Sequence, residues 1–181
     1  MDGGKTYTVD QLFKKILRSK SYFEASGGGV TVSGGEPLLQ LEFVTELFRR
    51  LQELNIHTAL DTAGSIPINS KIKNLLKYTN LVLLDIKHID NEKSIDLVGT
   101  SNKNNLSFAK YLSDNRIPMW IRQVLVPGYT DDEQDLLKLK AFISNLNSVK
   151  KVEILPYHSL GKFKWEKLRV QISFRRSKTS N

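Results

Sequence analysis

The chain reads Ser26-Gly27-Gly28-Gly29-Val30-Thr31-Val32-Ser33-Gly34-Gly35-Glu36-Pro37-Leu38 at residues 26–38. The β-branched run Gly29–Val32 predicts a short strand, and glycines just past a strand let the backbone approach a ligand because no Cβ intervenes. The Glu36 carboxylate can accept hydrogen bonds from an ammonium group, and Pro37 directs the chain into the next helix. A tight turn alone would need only Gly34-Gly35, so the longer string favours a ligand site.

Short apolar runs recur along the chain and predict five strands, at Gly29–Val32, His57–Leu60, Leu81–Ile86, Trp120–Val126 and Val152–Leu155. These runs lack polar alternation, so we expect strands that are buried on both faces.

Apolar residues at three- and four-residue steps predict five helices, at Val9–Ser19, Leu41–Leu54, Ile68–Tyr78, Asn104–Asn115 and Asp131–Leu146. The alternation of helix and strand implies an α/β fold with a parallel sheet and right-handed crossovers. It does not decide between an open sheet and a barrel.

Polar residues follow the predicted strands where each one ends. Asp61-Thr62 follows the second strand, Asp85 and Lys87 close the third, and Pro156-Tyr157-His158 follows the last. Ligands of parallel sheets gather at this rim. Taken alone, a simple ion pair explains Asp85 and Lys87 at least as well, and His158 could cap a loop. Arg122 lies within an apolar strand, which favours a role facing a pocket over a structural pair.

Composition excludes several classes of protein. Of the 181 residues 40% are apolar and 25% charged, as in a soluble globular domain. The net charge is +8, and half of it lies in Arg169, Arg175, Arg176 and Lys178. Elsewhere the basic residues have the spacing of solvated helix faces, with no interleaved aromatic residues, which argues against a nucleic-acid partner. No apolar run reaches the ~18 residues of a membrane span, so we expect a cytoplasmic protein.

The motifs resemble one family in particular. Ser33-Gly34-Gly35-Glu36-Pro37 is similar to the GGE motif of radical S-adenosylmethionine (SAM) enzymes. Further stretches resemble the pyruvate formate-lyase activating enzymes, which belong to the glycyl-radical enzyme activases, and the match runs nearly unbroken from about Gly3 to Lys167. These stretches are Ile56–Thr62, Leu84–Lys87, Leu97–Asn102, Trp120–Arg122, Val126–Asp132 and Leu155–Lys162.

The resemblance implies a partial parallel (βα)6-type TIM barrel lacking its first strand, and a role for several residues. Gly34, Gly35 and Glu36 match the motif that binds the methionine amino group of SAM. Asp85, Ile86 and Lys87 match a stretch lining the same pocket, and His158 a residue near the adenosyl group. Asp61, Thr62 and Asp85 match oxygen ligands of a monovalent cation, with which two carboxylates are compatible.

The family's activity depends on a [4Fe-4S] cluster held by a CxxxCxxC loop, and this chain has no cysteine. In the family the loop lies just upstream of the segment that matches Asp2–Tyr7. We therefore expect an incomplete barrel domain over residues 1–167 that is inactive alone, and a basic, disordered tail or out-of-frame translation over residues 168–181. The resemblance implies pyruvate formate-lyase or another glycyl-radical enzyme as partner, and an electron donor such as flavodoxin.

Two alternatives stay open. The chain could be a non-catalytic fragment that binds SAM or the glycyl-radical partner through its Leu97–Asn102 and Val126–Asp132 loops. It could also be an unrelated phosphate-sugar barrel, although the late turn Leu155–Lys162 offers only Gly161 for a phosphate. Without a first strand, the edge of Gly29–Val32 is open, and we expect poor solubility.

Overall fold

The structure, a computed structural model, describes residues 4–157. Its strands are β1 (Gly29–Val32), β2 (His57–Thr62), β3 (Leu81–Asp85), β4 (Met119–Leu125) and β5 (Val149–Pro156). All five predicted strands are confirmed, each with bounds within three residues of the prediction.

Within residues 4–157, seven α-helices lie before and between the strands: α1 (Val9–Leu17), α2 (Lys20–Ser26), α3 (Leu41–Glu53), α4 (Ser70–Leu76), α5 (Asn91–Val98), α6 (Lys103–Asp114) and α7 (Glu133–Ser144). A short 3-10 helix, Pro37–Gln40, precedes α3. The five predicted helices correspond to α1, α3, α4, α6 and α7. Each described helix is too short or too polar to cross a bilayer.

The strands form one parallel sheet in the order β1-β2-β3-β4-β5. Because spatial order equals chain order, the right-handed crossovers all lie on one side of the sheet, as they do around a barrel. In the described part of the chain β1 and β5 are the two edges, so the sheet is a partial barrel.

The sheet has one buried and one half-open face. The side chains of Leu60, Val82, Leu84, Met119 and Ile121 have no solvent exposure and pack with those of the helices. Asp61, Asp85 and Arg122 point to the opposite face and are partly exposed. The prediction of burial on both faces is therefore wrong, because the described helices cover one side.

Close approach of two strands explains one glycine. A Cβ built on Gly29 would lie 2.1 Å from the carbonyl oxygen of His57, the residue that faces Gly29 in β2. A larger residue at this position would push β1 away from β2. Gly29 therefore fixes the distance between the two strands whose ends carry the candidate site.

The predictions missed three elements: α2, the 3-10 helix and α5. The stretch Leu97–Asn102, expected to be a loop, is only partly one. Leu97 and Val98 end α5, and Gly99, with φ of 74°, stops it in the left-handed conformation. The predicted domain boundary after residue 167 lies outside the described residues.

Candidate cofactor-binding site

The turn after β1 is built on two glycines in the left-handed region. Gly34 has φ of 87° and Gly35 has φ of 54°, and L-residues with a side chain rarely adopt such angles. A Cβ added to either glycine would meet no atom within 4 Å. Backbone conformation therefore requires glycine here, and the space beside both residues is open to a ligand.

Glu36 ties this turn to the end of β2. Its Oε1 accepts hydrogen bonds from the Leu38 amide (3.1 Å) and the Thr62 hydroxyl (2.6 Å), and its Oε2 accepts one from the Ala63 amide (3.1 Å). The first of these bonds caps the 3-10 helix that starts with Pro37. The Glu36 carboxylate thus already accepts hydrogen bonds from three protein donors. This structural role was not predicted from the sequence.

Four charged residues and one hydroxyl form a cluster at the same rim, on the open face of the sheet. Asp61 accepts hydrogen bonds from Ser33 (Oγ to Oδ2, 2.8 Å) and from the Arg122 guanidinium. Asp85 accepts bonds from Arg122 (Nε to Oδ1, 2.9 Å) and from Lys87 (Nζ to Oδ2, 2.9 Å). Arg122 thus bridges two carboxylates that belong to different strands.

The two neighbouring carboxylates favour the charged form of Arg122. Burial opposes the charge on Arg122, but the charges of Asp85 and Asp61 outweigh it and raise the pKa of the guanidinium. The Arg122 side chain is 19% exposed, against 40% for Lys87. Arg122 thus forms the structural pairing that the sequence disfavoured, and its role facing a pocket stays a prediction.

The remaining predicted site residues lie in different surroundings. The Ile86 side chain is fully buried in the helix-covered core, so only its backbone could touch a ligand at this rim. Thr62 is 3% exposed, and its hydroxyl also accepts a bond from the Gly64 amide (2.9 Å). His158 lies outside the described residues.

Asn105 on α6 is a supporting residue that the sequence predictions missed. It is 6% exposed, and its Nδ2 donates to the carbonyl oxygens of Ala63 (2.6 Å) and Asp85 (2.9 Å). It therefore joins the ends of β2 and β3, the strands that carry Asp61 and Asp85. A signal existed, because Asn105 shares the apolar face of Ala109 and Leu112 at four- and seven-residue steps.

The chain's residues fit one of the two cofactors that the resemblance implies. An open glycine turn, acceptor carboxylates and the ammonium group of Lys87 suit a small zwitterionic ligand such as SAM. The [4Fe-4S] cluster does not fit, because the 181 residues contain no cysteine to supply thiolate ligands. Among residues 4–157 no group of three or more His, Asp or Glu side chains suited to a metal ion occurs either.

Comparison with known protein families shows the superfamily of this chain. The family model of the Radical SAM superfamily matches residues 1–139, well over half of the chain. The chain therefore belongs to the radical SAM superfamily, which sets aside the phosphate-sugar barrel alternative.

More specific similarity points to the expected activases. The chain is 55% identical over 166 residues to the pyruvate formate-lyase-activating enzymes of Staphylococcus aureus strains USA300 and NCTC 8325. The match covers 89% of this chain and 66% of each relative, so the chain spans about two thirds of their length. The predicted resemblance is confirmed.

Solved structures agree on the fold. A domain of the pyruvate-formate lyase-activating enzyme from Bacteroides vulgatus superposes with a TM-score of 0.68 at 28% identity, covering 73% of this chain and 82% of that one. SuiB from Streptococcus suis, solved with bound SAM, gives 0.71 at 20% identity over 88% of this chain and 36% of its own. The partial barrel prediction is confirmed by these likenesses.

Proposed function

We propose that this chain carries the SAM-binding rim of a pyruvate formate-lyase-activating enzyme. One observation supports this most: the open Gly34-Gly35 turn lies beside Glu36 and shares its rim with Asp85 and Lys87, in a chain 55% identical to such enzymes. Gly34, Gly35 and Glu36 would receive the methionine end of the cofactor. Asp85, the Ile86 backbone and Lys87 would line the pocket beside it, with His158 near the adenosyl group.

The proposed activity is reductive cleavage of SAM that leaves a glycyl radical on pyruvate formate-lyase or another glycyl-radical enzyme. When bound, SAM would supply this chemistry: on one-electron reduction by a donor such as flavodoxin it would yield methionine and 5′-deoxyadenosine, the latter carrying the hydrogen atom taken from a glycine of the partner. The residues of this chain bind and orient the cofactor. Since the 181 residues supply no cluster ligand, we propose that they are inactive alone. A cytoplasmic location stays a prediction.

Binding of SAM can be measured directly. Titration calorimetry of the chain should show saturable SAM binding. Lys87→Met should raise the Kd for SAM about tenfold, which corresponds to a loss of about 1.4 kcal/mol in binding free energy. Lys77→Met is the matched control, since Lys77 is an exposed lysine just after α4. No saturable binding by the unaltered chain would refute the proposed pocket, and equal losses in both variants would refute the role of Lys87.

A second candidate function is that of a non-catalytic module that binds the glycyl-radical partner. The observation that favours it is a cavity of about 430 Å³, where α5 meets the loop before α7, so that parts of both predicted partner-binding loops share one surface. The lining residues include Leu97, Gly128 and Tyr129. Pull-down with pyruvate formate-lyase tests this function, and Leu97→Asp should reduce retention. No retention of the unaltered chain would count against it.

A further inference from the structure

The last strand of the sheet, β5, is an edge strand with exposed apolar residues. Among residues 4–157 it pairs with β4 alone. Val152 and Ile154 lie beside Ile121 and Gln123 of β4, which are buried. Val152 and Ile154 themselves are 44% and 49% exposed. At β5, the helix-covered face of the sheet therefore has an open apolar surface, of the kind that favours pairing with another strand.

The backbone groups of the same two residues point to the open edge. The Tyr157 amide donates to the carbonyl oxygen of Leu125 in β4 (3.2 Å). The N–H and C=O groups of successive strand residues point alternately to the two sides of the strand. Those of Val152 and Ile154, five and three positions before Tyr157, therefore point away from β4. An added strand would find backbone donors and acceptors beside the apolar surface.

The charged residues of β5 lie on the other face of the sheet, the open one. Lys151 lies beside Trp120, with its ammonium group 4.8 Å from the centre of the ring. Glu153 lies beside Arg122 and forms an ion pair with Lys151. One positive and one negative residue thus flank Val152 at equal distances. Such a strand is complementary in charge to a copy of itself that runs in the opposite direction.

This pattern selects one register for pairing with a second copy. A two-fold axis perpendicular to the sheet makes the two β5 strands antiparallel, and residues that face each other then share a face of the sheet. The central choices place Lys151, Val152 or Glu153 at the axis. An axis at Lys151 or at Glu153 puts like charges directly opposite each other, which is destabilising. An axis at Val152 puts Lys151 of each copy opposite Glu153 of the other.

We propose that β5 is the interface of a homodimer, in which the β5 strands of two copies pair antiparallel with Val152 at the two-fold axis. The two Val152 side chains would pack against each other, and Ile154 would pack on the aliphatic stem of Lys150 of the second copy. The four charged groups on the open face would alternate in sign around the axis. This pairing involves neither SAM nor a glycyl-radical enzyme, so its failure leaves the proposed function untouched.

Disulfide crosslinking tests the register, since the chain has no cysteine of its own. Facing residues of an antiparallel pair have Cα atoms about 5.5 Å apart, within the range of about 4.4–6.8 Å that a disulfide spans. Val152→Cys should therefore give a covalent dimer on oxidation with diamide, seen on a non-reducing gel. Ile154→Cys is the matched control. Ile154 is similarly exposed, but its two copies would lie about 13 Å apart along the strands. Its crosslinking should be slower by about tenfold or more.

Charge reversal tests the facing ion pairs. Lys151→Glu and Glu153→Lys should each raise the dissociation constant of the dimer about tenfold or more, because each places two pairs of like charges opposite each other. An equimolar mixture of the two variants should dimerise again, since every facing pair then has opposite charges. Lys110→Glu, at an exposed lysine of α6, is the control with the same change in net charge. Light scattering over a range of concentrations measures all four samples.

Several results would overturn the proposal. A monomeric unaltered chain at high concentration is one, and it includes the case in which residues 158–181 of the same chain occupy the edge. Equal crosslinking of Val152→Cys and Ile154→Cys would show unspecific association, and faster crosslinking of Lys151→Cys or Glu153→Cys would show another register. Failure of the mixed charge variants to dimerise would exclude the facing pairs. If a charge variant does not fold, as judged by circular dichroism, the two cysteine variants still decide.

Discussion

Glu36 combines a proposed ligand role with an observed structural one. Its carboxylate accepts from Leu38, Thr62 and Ala63, so the GGE motif also joins the β1 turn to the end of β2. A ligand ammonium group would use lone pairs that these donors leave free, since a carboxylate offers about four acceptor sites. The motif would then serve the geometry of the turn as well as binding.

We expect Glu36→Ala to lower the free energy of unfolding by about 1–3 kcal/mol, because three donors lose a charged acceptor and two of them are backbone amides. Urea unfolding followed by circular dichroism measures this. Glu24→Ala is the control: Glu24 is an exposed helical residue paired with Lys20, so the change should stay within about 0.5 kcal/mol. Equal effects of the two substitutions would contradict the role of Glu36 as a link.

Residue types and order were enough to predict which polar groups meet at the rim. The side chains of Glu36, Asp61, Asp85 and Lys87 do lie there, since parallel strands place their carboxyl ends together. The ion pair of Asp85 and Lys87 was an alternative that the sequence offered, and it is observed. The bridge by Arg122 was not predictable, because it depends on the register of β2, β3 and β4. That register places Arg122 opposite Asp85 and within reach of Asp61. The buried Ile86 side chain follows from the same pleat, which alternates the faces of successive residues.

At the scale of elements, Asp135 joins α7 to α5. It is 4% exposed, and its carboxylate accepts from Lys93 of α5 and from Lys138 of α7 (2.9 Å to Oδ1). His88 Nε2, which has no hydrogen-bond partner among residues 4–157, lies 3.7 Å from Oδ2. Asp135 therefore holds the helix after β3 against the helix after β4.

Asp135 should make stability depend on pH in the acidic range. Hydrogen bonds from Lys93 and Lys138 hold its pKa below the usual range, against the opposing effect of burial. A depressed native pKa stabilises the fold above the unfolded value of about 3.9, and the contribution is lost as pH falls through the native pKa. We expect Asp135→Asn to cost about 1 kcal/mol at pH 7 and progressively less below pH ~4.

Unfolding free energies of both proteins between pH 7 and pH 2 measure this difference. Asp114→Asn serves as the control, since Asp114 is an exposed aspartate at the end of α6. A difference between the unaltered chain and Asp135→Asn that does not shrink at low pH would contradict the assignment.

Two of the helices show why some elements escaped prediction. In α5 the only buried residue is Ser94, and in α2 no residue is buried, so neither has the apolar stripe by which a helix is recognised. The signals that existed were terminal. Asp90 caps α5 through the amides of Glu92 and Lys93, and left-handed Gly27 ends α2.

At the scale of the whole molecule, the sheet follows the chain order without reversal, which the alternation of elements alone could not establish. Strand order depends on which strands pair, a long-range property that composition and periodicity do not contain. The edges also bear on solution behaviour. Val152 and Ile154 in β5 are 44% and 49% exposed. In the described part of the chain, β1 pairs with β2 alone.

Open edges with exposed apolar side chains favour association between chains. We expect the 181-residue chain to associate or precipitate at high concentration, and Ile154→Lys to reduce this by placing a charge at the edge. Size-exclusion chromatography with light scattering over a range of concentrations measures both. A monodisperse monomer of the unaltered chain at high concentration would contradict the expectation.

We propose a cofactor-binding rim in a chain whose 181 residues cannot hold a [4Fe-4S] cluster through thiolates, because they contain no cysteine. Anaerobic reconstitution of the chain with iron and sulfide, followed by iron and sulfide analysis, the visible absorbance of the cluster and reduction with dithionite, tests it most directly. The account predicts no stoichiometric cluster, because a [4Fe-4S] cluster needs thiolate ligands. A stoichiometric, redox-active cluster on this chain would contradict it.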